Sequence, residues 1–155
     1  MEFKSPLLAV SNLEKSLKFY KDVLDLEVLQ DFGANVTLSG GISLQTEESW
    51  LDFLDKPRTE LQYGGNDFEL YFVTEDFDGF LKTLEEKNVQ MVRPPMEHRW
   101  GQRVVRIYDP DQHILEIAEP LSEVCRRFRN GGLSEEGIAR RMDVSLELVK
   151  KLLKT

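Results

Sequence analysis

One pattern of elements occurs twice in this chain, 64 residues apart, and that repetition restricts the fold more than any single motif does. The first copy opens with Pro6-Leu7-Leu8-Ala9-Val10, an apolar run of strand length. Ser11 and Glu14 then stand at capping-box spacing, and Leu13, Leu17, Tyr20 and Leu24 fall on one face of the helix that follows. Three strand-like pieces come next, at 26–30, 35–38 and 42–45, punctuated by Gly33 and the Gly40-Gly41 pair. The second copy repeats this order. Residues 68–73 are rich in aromatic and branched side chains, Asp76 is placed to cap a helix, and Phe77, Phe80, Leu81 and Leu84 form its apolar face. Asn88 stands where a left-handed residue ends that helix, and strands follow at 89–92, 102–108 and 114–118. Asp109-Pro110-Asp111-Gln112 makes the last turn.

Between the copies, residues 46–66 are acidic, carry Trp50, Phe53 and Tyr63, and show no clear periodicity. Such a stretch reads as a linker whose aromatics pack onto the body or cover a ligand. After Pro120 the balance of charge reverses. Residues 1–120 hold 12 basic and 23 acidic side chains, whereas residues 121–155 hold 8 basic and 5 acidic. The tail reads as three short helices: Leu121, Val124, Cys125 and Phe128 on the first, Ile138 and Met142 on a second capped by Ser134, and Leu146, Val149, Leu152 and Leu153 on a third capped by Ser145. Residues 138–149 are similar to a helix-turn-helix, with its turn at 142–144. Glu147 at the start of the last helix faces phosphate badly, and the body is strongly acidic, so nucleic acid is an unfavoured partner and the tail reads as a packing or dimer-supporting appendage. No apolar run approaches the roughly 20 residues of a membrane span. No basic stretch followed by an apolar segment opens the chain, and Cys125 is the single cysteine. The expectation is a cytoplasmic protein with no internal disulfide.

The doubled unit, with Leu8-Ala9-Val10-Ser11-Asn12-Leu13-Glu14-Lys15-Ser16-Leu17-Lys18-Phe19-Tyr20 in its first copy and Trp100-Gly101-Gln102-Arg103 running on to residues 109–117 in its second, resembles the vicinal oxygen chelate superfamily over residues 3–119. That superfamily includes glyoxalase I, bleomycin-resistance proteins, fosfomycin-resistance thiol transferases and extradiol dioxygenases. Gln112 stands where the superfamily's usual ending has glycine. The resemblance implies an α+β fold. Two βαβββ modules, at about 3–45 and 67–119, would pair into an open, incomplete mixed β-barrel within a domain spanning 1–120, followed by the helical tail 121–155. It also implies a homodimer and a ligand cleft, often built on a metal held at four strand positions. Those positions map here to Ser5, Ser43, Glu69 and Glu116.

Strand alternation gives an independent view of the cleft. Phe68, Leu70 and Phe72 form an apolar face, leaving Glu69, Tyr71 and Val73 on the other. Leu115 and Ile117 pack inward on the helix side, leaving Ile114, Glu116 and Ala118 for the cleft, and Val104, Arg106 and Tyr108 form the more polar face of the preceding strand. His98 and Trp100 lie in a proline-punctuated loop over 94–101 at the cleft edge, whereas His113 reads as structural.

Two readings of the chemistry stay open. In one, Glu69 and Glu116 are metal ligands or general bases of a lyase or isomerase acting on a small, polar, enolisable substrate, with Arg106 positioning it and His98 within reach as an acid or base. Two carboxylates without an imidazole favour Mg²⁺ or Mn²⁺ and allow Ni²⁺ or Zn²⁺ in a weak site. In the other, no metal is bound, and Tyr71, Trp100 and Tyr108 stack on a sequestered small molecule, as in bleomycin-resistance proteins. A regulator that senses a ligand and uses the tail on DNA is a third, lesser expectation.

Overall fold

Both helices of the repeated unit start on a side-chain cap. Asn12 accepts a hydrogen bond from the Lys15 amide and opens α1, Leu13–Leu24; Asp76 accepts from the Gly79 amide and opens α3, Phe77–Glu86. Around α1 run β1 (Leu7–Val10), β2 (Val28–Asp31), β3 (Asn35–Leu38) and β4 (Ile42–Thr46). Around α3 run β5 (Glu69–Val73), β6 (Met91–Glu97), β7 (Arg103–Tyr108) and β8 (Ile114–Ala118). The computed structural model describes residues 1–154.

The two copies make two four-stranded sheets of identical order, β1-β4-β3-β2 and β5-β8-β7-β6, each with a parallel outer pair. The fold is therefore α+β, with two βαβββ sheets, neither of them closed into a barrel. The chain divides into two compact units, residues 1–68 with 108–113 and residues 69–107 with 114–155. In the first, Leu8, Val10, Tyr20, Val36, Leu38 and Leu44 are buried. In the second, Phe77, Leu84, Val104, Ile107, Leu115 and Ile117 are buried, and three tail helices, α4 (Leu121–Asn130), α5 (Glu135–Met142) and α6 (Leu146–Leu152), build a further core from Val124, Cys125, Ile138, Ala139, Met142 and Val149. No helix among the described residues is long and apolar enough to cross a membrane.

Four local expectations need correction. The stretch after β4 begins with a helix, α2 (Glu47–Leu54), and a 3₁₀ turn at Arg58–Glu60. Its helical period was hidden because no residue of α2 is fully buried. The expected strand at 89–92 extends through Pro94-Pro95 to Glu97, so His98 and Trp100 follow a strand directly. Prolines fit there because β6 is the sheet edge and its register against β7 shifts at this point. The strand expected at 26–30 is Val28–Asp31 and carries no buried residue. On α1 the buried positions are Ser16, Tyr20 and Val23 rather than the full leucine row. A buried serine looked polar in sequence, but its hydroxyl donates to Asp111 at 3.4 Å.

The Asp109–Gln112 turn is the polar core of the first unit. Asp109 accepts from the Tyr20 hydroxyl at 2.9 Å, from the amides of Asp111 and His113, and pairs with His113 Nδ1 at 2.8 Å. Asp111 accepts from the Ser11 hydroxyl and amide. These acceptors, together with burial, hold the Tyr20 hydroxyl well above its ordinary pKa, burial being the larger cause. Gln112 takes the left-handed conformation, φ 67°, that glycine would hold most cheaply.

Candidate active site on the second sheet

The parallel pairing of β5 with β8 sets Glu69 opposite Ile114, Tyr71 opposite Glu116, and Val73 opposite Ala118. Paired residues share a face, so these six side chains share one side of the sheet. Glu69, Tyr71 and Val73 are exposed, whereas Leu115 and Ile117 on the opposite face are fully buried.

Arg106 reaches this face from β7 and joins the two glutamates. Its Nε donates to Glu69 Oε2 at 2.7 Å, its Nη2 to Glu69 Oε1 at 3.3 Å, and Nη2 also pairs with Glu116 Oε2. Glu116 is only 6% exposed, so its charged form loses hydration. Burial first, and then the Glu69 carboxylate, push its pKa above the ordinary value; the charges of Arg106 and His98 pull the other way. The guanidinium is held more firmly charged than usual, chiefly by its hydrogen bond to Glu69.

A second, polar chain runs along the same unit. Gln102 is buried; its Nε2 donates to the Tyr71 hydroxyl at 3.1 Å and to the Glu119 carbonyl at 2.8 Å, while its Oε1 accepts from Trp100 Nε1 at 3.0 Å. His98 stacks on Trp100 with ring centroids 4.2 Å apart. Glu69, Tyr71, His98, Trp100, Arg106 and Glu116 thus lie within one unit, linked by Arg106 and by Gln102. Tyr108 lies elsewhere: it belongs to the first unit, where its hydroxyl donates to Asn66 Oδ1 at 3.0 Å. Sequence reasoning missed Gln102, although it stands inside the Trp100–Arg103 motif, because an amide carries no charge pattern to single it out.

The four positions that the resemblance assigns to a metal do not supply a fitting donor set. In the first unit the Ser5 and Ser43 hydroxyls bond each other at 3.1 Å, with Thr37 at 3.5 Å from Ser43. In the second, Glu69 and Glu116 are both engaged by the Arg106 guanidinium, which sits where a cation bridging them would sit. Among the described residues, no cluster of three or more His, Cys, Asp or Glu side chains gathers to hold an ion. The side chains present therefore form an arginine-bridged carboxylate pair rather than a metal cradle.

Comparison with known proteins agrees with this architecture. The model of the glyoxalase-like domain matches residues 3–122. The uncharacterized protein YraH of Bacillus subtilis is 30% identical over 121 residues, covering 74% of this chain and 94% of that protein. A metallothiol transferase FosB from Staphylococcus saprophyticus is 26% identical over 110 residues, covering 70% of each. A protein of unknown function from Agrobacterium tumefaciens, solved by crystallography, superposes with a TM-score of 0.71 at 32% identity, covering 77% of this chain and 94% of that one. With its duplicated βαβββ sheets and these matches, the chain belongs to the glyoxalase-like family of the vicinal oxygen chelate superfamily.

Proposed function

We propose that this protein binds a small organic molecule carrying a basic nitrogen beside a flat apolar group, and does so without a resident metal. The observation that carries the proposal is the Glu69–Arg106–Glu116 triad, in which two carboxylates share one guanidinium and leave an excess negative charge. A ligand ammonium can answer that charge, and Tyr71, 54% exposed on the same sheet face, offers it a ring. Trp100 and His98, stacked together and tied to Tyr71 through Gln102, extend the aromatic surface.

A calorimetric titration with three probes of one shape tests this: tryptamine, the uncharged indole-3-ethanol, and the anionic indole-3-propionate. Tryptamine should bind tightest, and Glu69→Gln should remove its advantage by about tenfold, the worth of one charge-assisted contact. Preference for the anion would overturn the reading, since Arg106 would then be the recognising group.

A second reading is favoured by the raised pKa of Glu116. A buried carboxylate with greater proton affinity is a better general base, and in this reading Glu116 takes a proton from a carbon acid while Arg106 steadies the resulting enolate. This lyase or isomerase chemistry predicts solvent deuterium exchange into a bound enolisable acid, lost in Glu116→Gln. Homodimer formation and cytoplasmic residence belong with either reading as proposals, checked by light scattering and by fractionation.

A further inference from the structure

Beside the site just described, and sharing Trp100 with it, one cavity in the second unit gathers three arginines against one lining carboxylate. It encloses about 430 Å³ and is lined by Arg99, Trp100, Arg140, Arg141, Met142 and Asp143. Three guanidiniums therefore border one space with a single carboxylate, in a protein whose net charge is −8. Like charges held together cost free energy unless an anion answers them.

The three arginines are differently restrained. Arg141 donates to the Arg99 carbonyl, lies over the Phe128 ring at 5.2 Å, and comes within 3.9 Å of Glu97 at the rim. Arg99 approaches Asp143 at 3.5 Å, an exposed pair that is weak by nature. Among the described residues, no hydrogen bond or salt bridge holds the Arg140 guanidinium. The arrangement thus has one fixed guanidinium, one loosely paired and one, Arg140, that feels the exposed Glu136 carboxylate one turn back on α5 without bonding it. Planar forks of this kind suit the paired oxygens of a phosphate, and two or three suit a diphosphate. Asp143 lies at a left-handed turn, φ 60°, between α5 and α6, so its backbone fixes the rim opposite Arg99.

We propose that this cavity is a binding site for a phosphate-bearing anion, built jointly by residues 99–100 and by the last turn of α5 with Asp143. The phosphate could be free or part of a nucleic-acid backbone, and the experiment separates the two. The full chain is titrated calorimetrically with inorganic pyrophosphate and, separately, with a short duplex DNA, at low salt and at about 0.15 M salt.

The expected result is one pyrophosphate per chain, weakened about tenfold by Arg140→Gln and largely restored by Arg140→Lys. Asp143→Asn keeps a residue that tolerates the left-handed turn while deleting the one lining carboxylate, so it should tighten binding severalfold. Arg140 is exposed and its replacement should leave the melting temperature unchanged, which separates lost binding from lost folding. Duplex DNA bound more tightly than pyrophosphate, with a steep salt dependence and the same response to Arg140→Gln, supports the phosphate site and assigns it to a nucleic-acid backbone. Absence of binding by either probe, or binding indifferent to Arg140 and Asp143, overturns the proposal.

Discussion

Glu116 is the residue whose surroundings most oppose its usual behaviour. It is buried beside Glu69, and these two causes, burial being the larger, outweigh the pull of Arg106 and His98 and raise its pKa. The native state therefore keeps a proton on this carboxyl at pH values where the unfolded chain has released it. Over the window from the ordinary carboxylate pKa up to the raised one, the native state binds more protons, so stability falls as pH rises. Urea unfolding followed across that window should show the slope, and Glu116→Gln should flatten it; an unchanged slope would assign it to another group. Much of this site was legible before the structure. Alternation along three strands placed Glu69 and Tyr71 on one face and Glu116 and Arg106 beside them, because a period of two carries that information in every sequence. The bridging of both glutamates by Arg106 was not legible as the outcome, since a metal and a guanidinium satisfy the same pair of carboxylates. Tyr108 follows the same alternation, yet its hydroxyl is taken by Asn66, a loop residue that no strand pattern locates.

At the scale of elements, the segment from His98 to Arg103 is held by the tail rather than by the sheet alone. Arg127 of α4 donates to the Gly101 carbonyl at 2.5 Å and to Glu119 Oε1 at 2.5 Å. Glu119, 2% exposed, also accepts from the Arg103 amide at 2.9 Å and from Arg103 Nε at 3.1 Å. One buried carboxylate therefore ties β7 to α4. Glu119→Ala leaves two arginines without their common partner and should cost about 2–3 kcal/mol by chemical denaturation, at the lower end for a broken buried pair because both arginines also reach solvent. Gly101 is the complementary point. Its φ is +93°, and a Cβ there would sit 2.2 Å from Phe128 Cζ and 2.7 Å from Cε2. Gly101→Ala should destabilise by about 2–4 kcal/mol, combining backbone strain with overpacking. Phe128→Leu alongside Gly101→Ala should recover part of that loss, and no recovery would place the whole cost in the backbone. The element order was readable because caps, turns and apolar periods agreed in both copies. The edge strand through Pro94-Pro95 was not, because proline signals a break unless the missing amide faces no partner, and edge position is a property of the sheet. Helix α2 stayed hidden for a related reason: its residues are half-buried or exposed, which leaves no clean apolar stripe.

Across the whole molecule, the family match ends at residue 122, while the chain continues through three further helices with a core of their own. That core is not independent of the second sheet's unit. Trp100, which donates to Gln102 and stacks with His98, is among the partly buried side chains packed against Val124, Cys125, Ile138 and Met142. The tail thus covers one flank of the residues proposed to meet the ligand, and its basic side chains outnumber its acidic ones, 8 to 5, beside an acidic body. Deleting residues 121–155 removes the packing partners of Trp100 together with the Arg127 and Arg141 contacts to the 99–101 backbone. The remaining glyoxalase-like domain should keep its α+β far-ultraviolet spectrum, since both sheets lie within residues 7–118. Trp100 should become hydrated, shifting its fluorescence to longer wavelength, and tryptamine affinity should fall because the aromatic surface has lost its support. Trp50→Phe in both chains isolates the Trp100 signal. An unshifted emission with undiminished affinity would mean that the sheet alone holds this loop. A collapse of the far-ultraviolet spectrum would mean that the helices, whose own core buries Val124, Ile138 and Val149, are part of the folding unit itself.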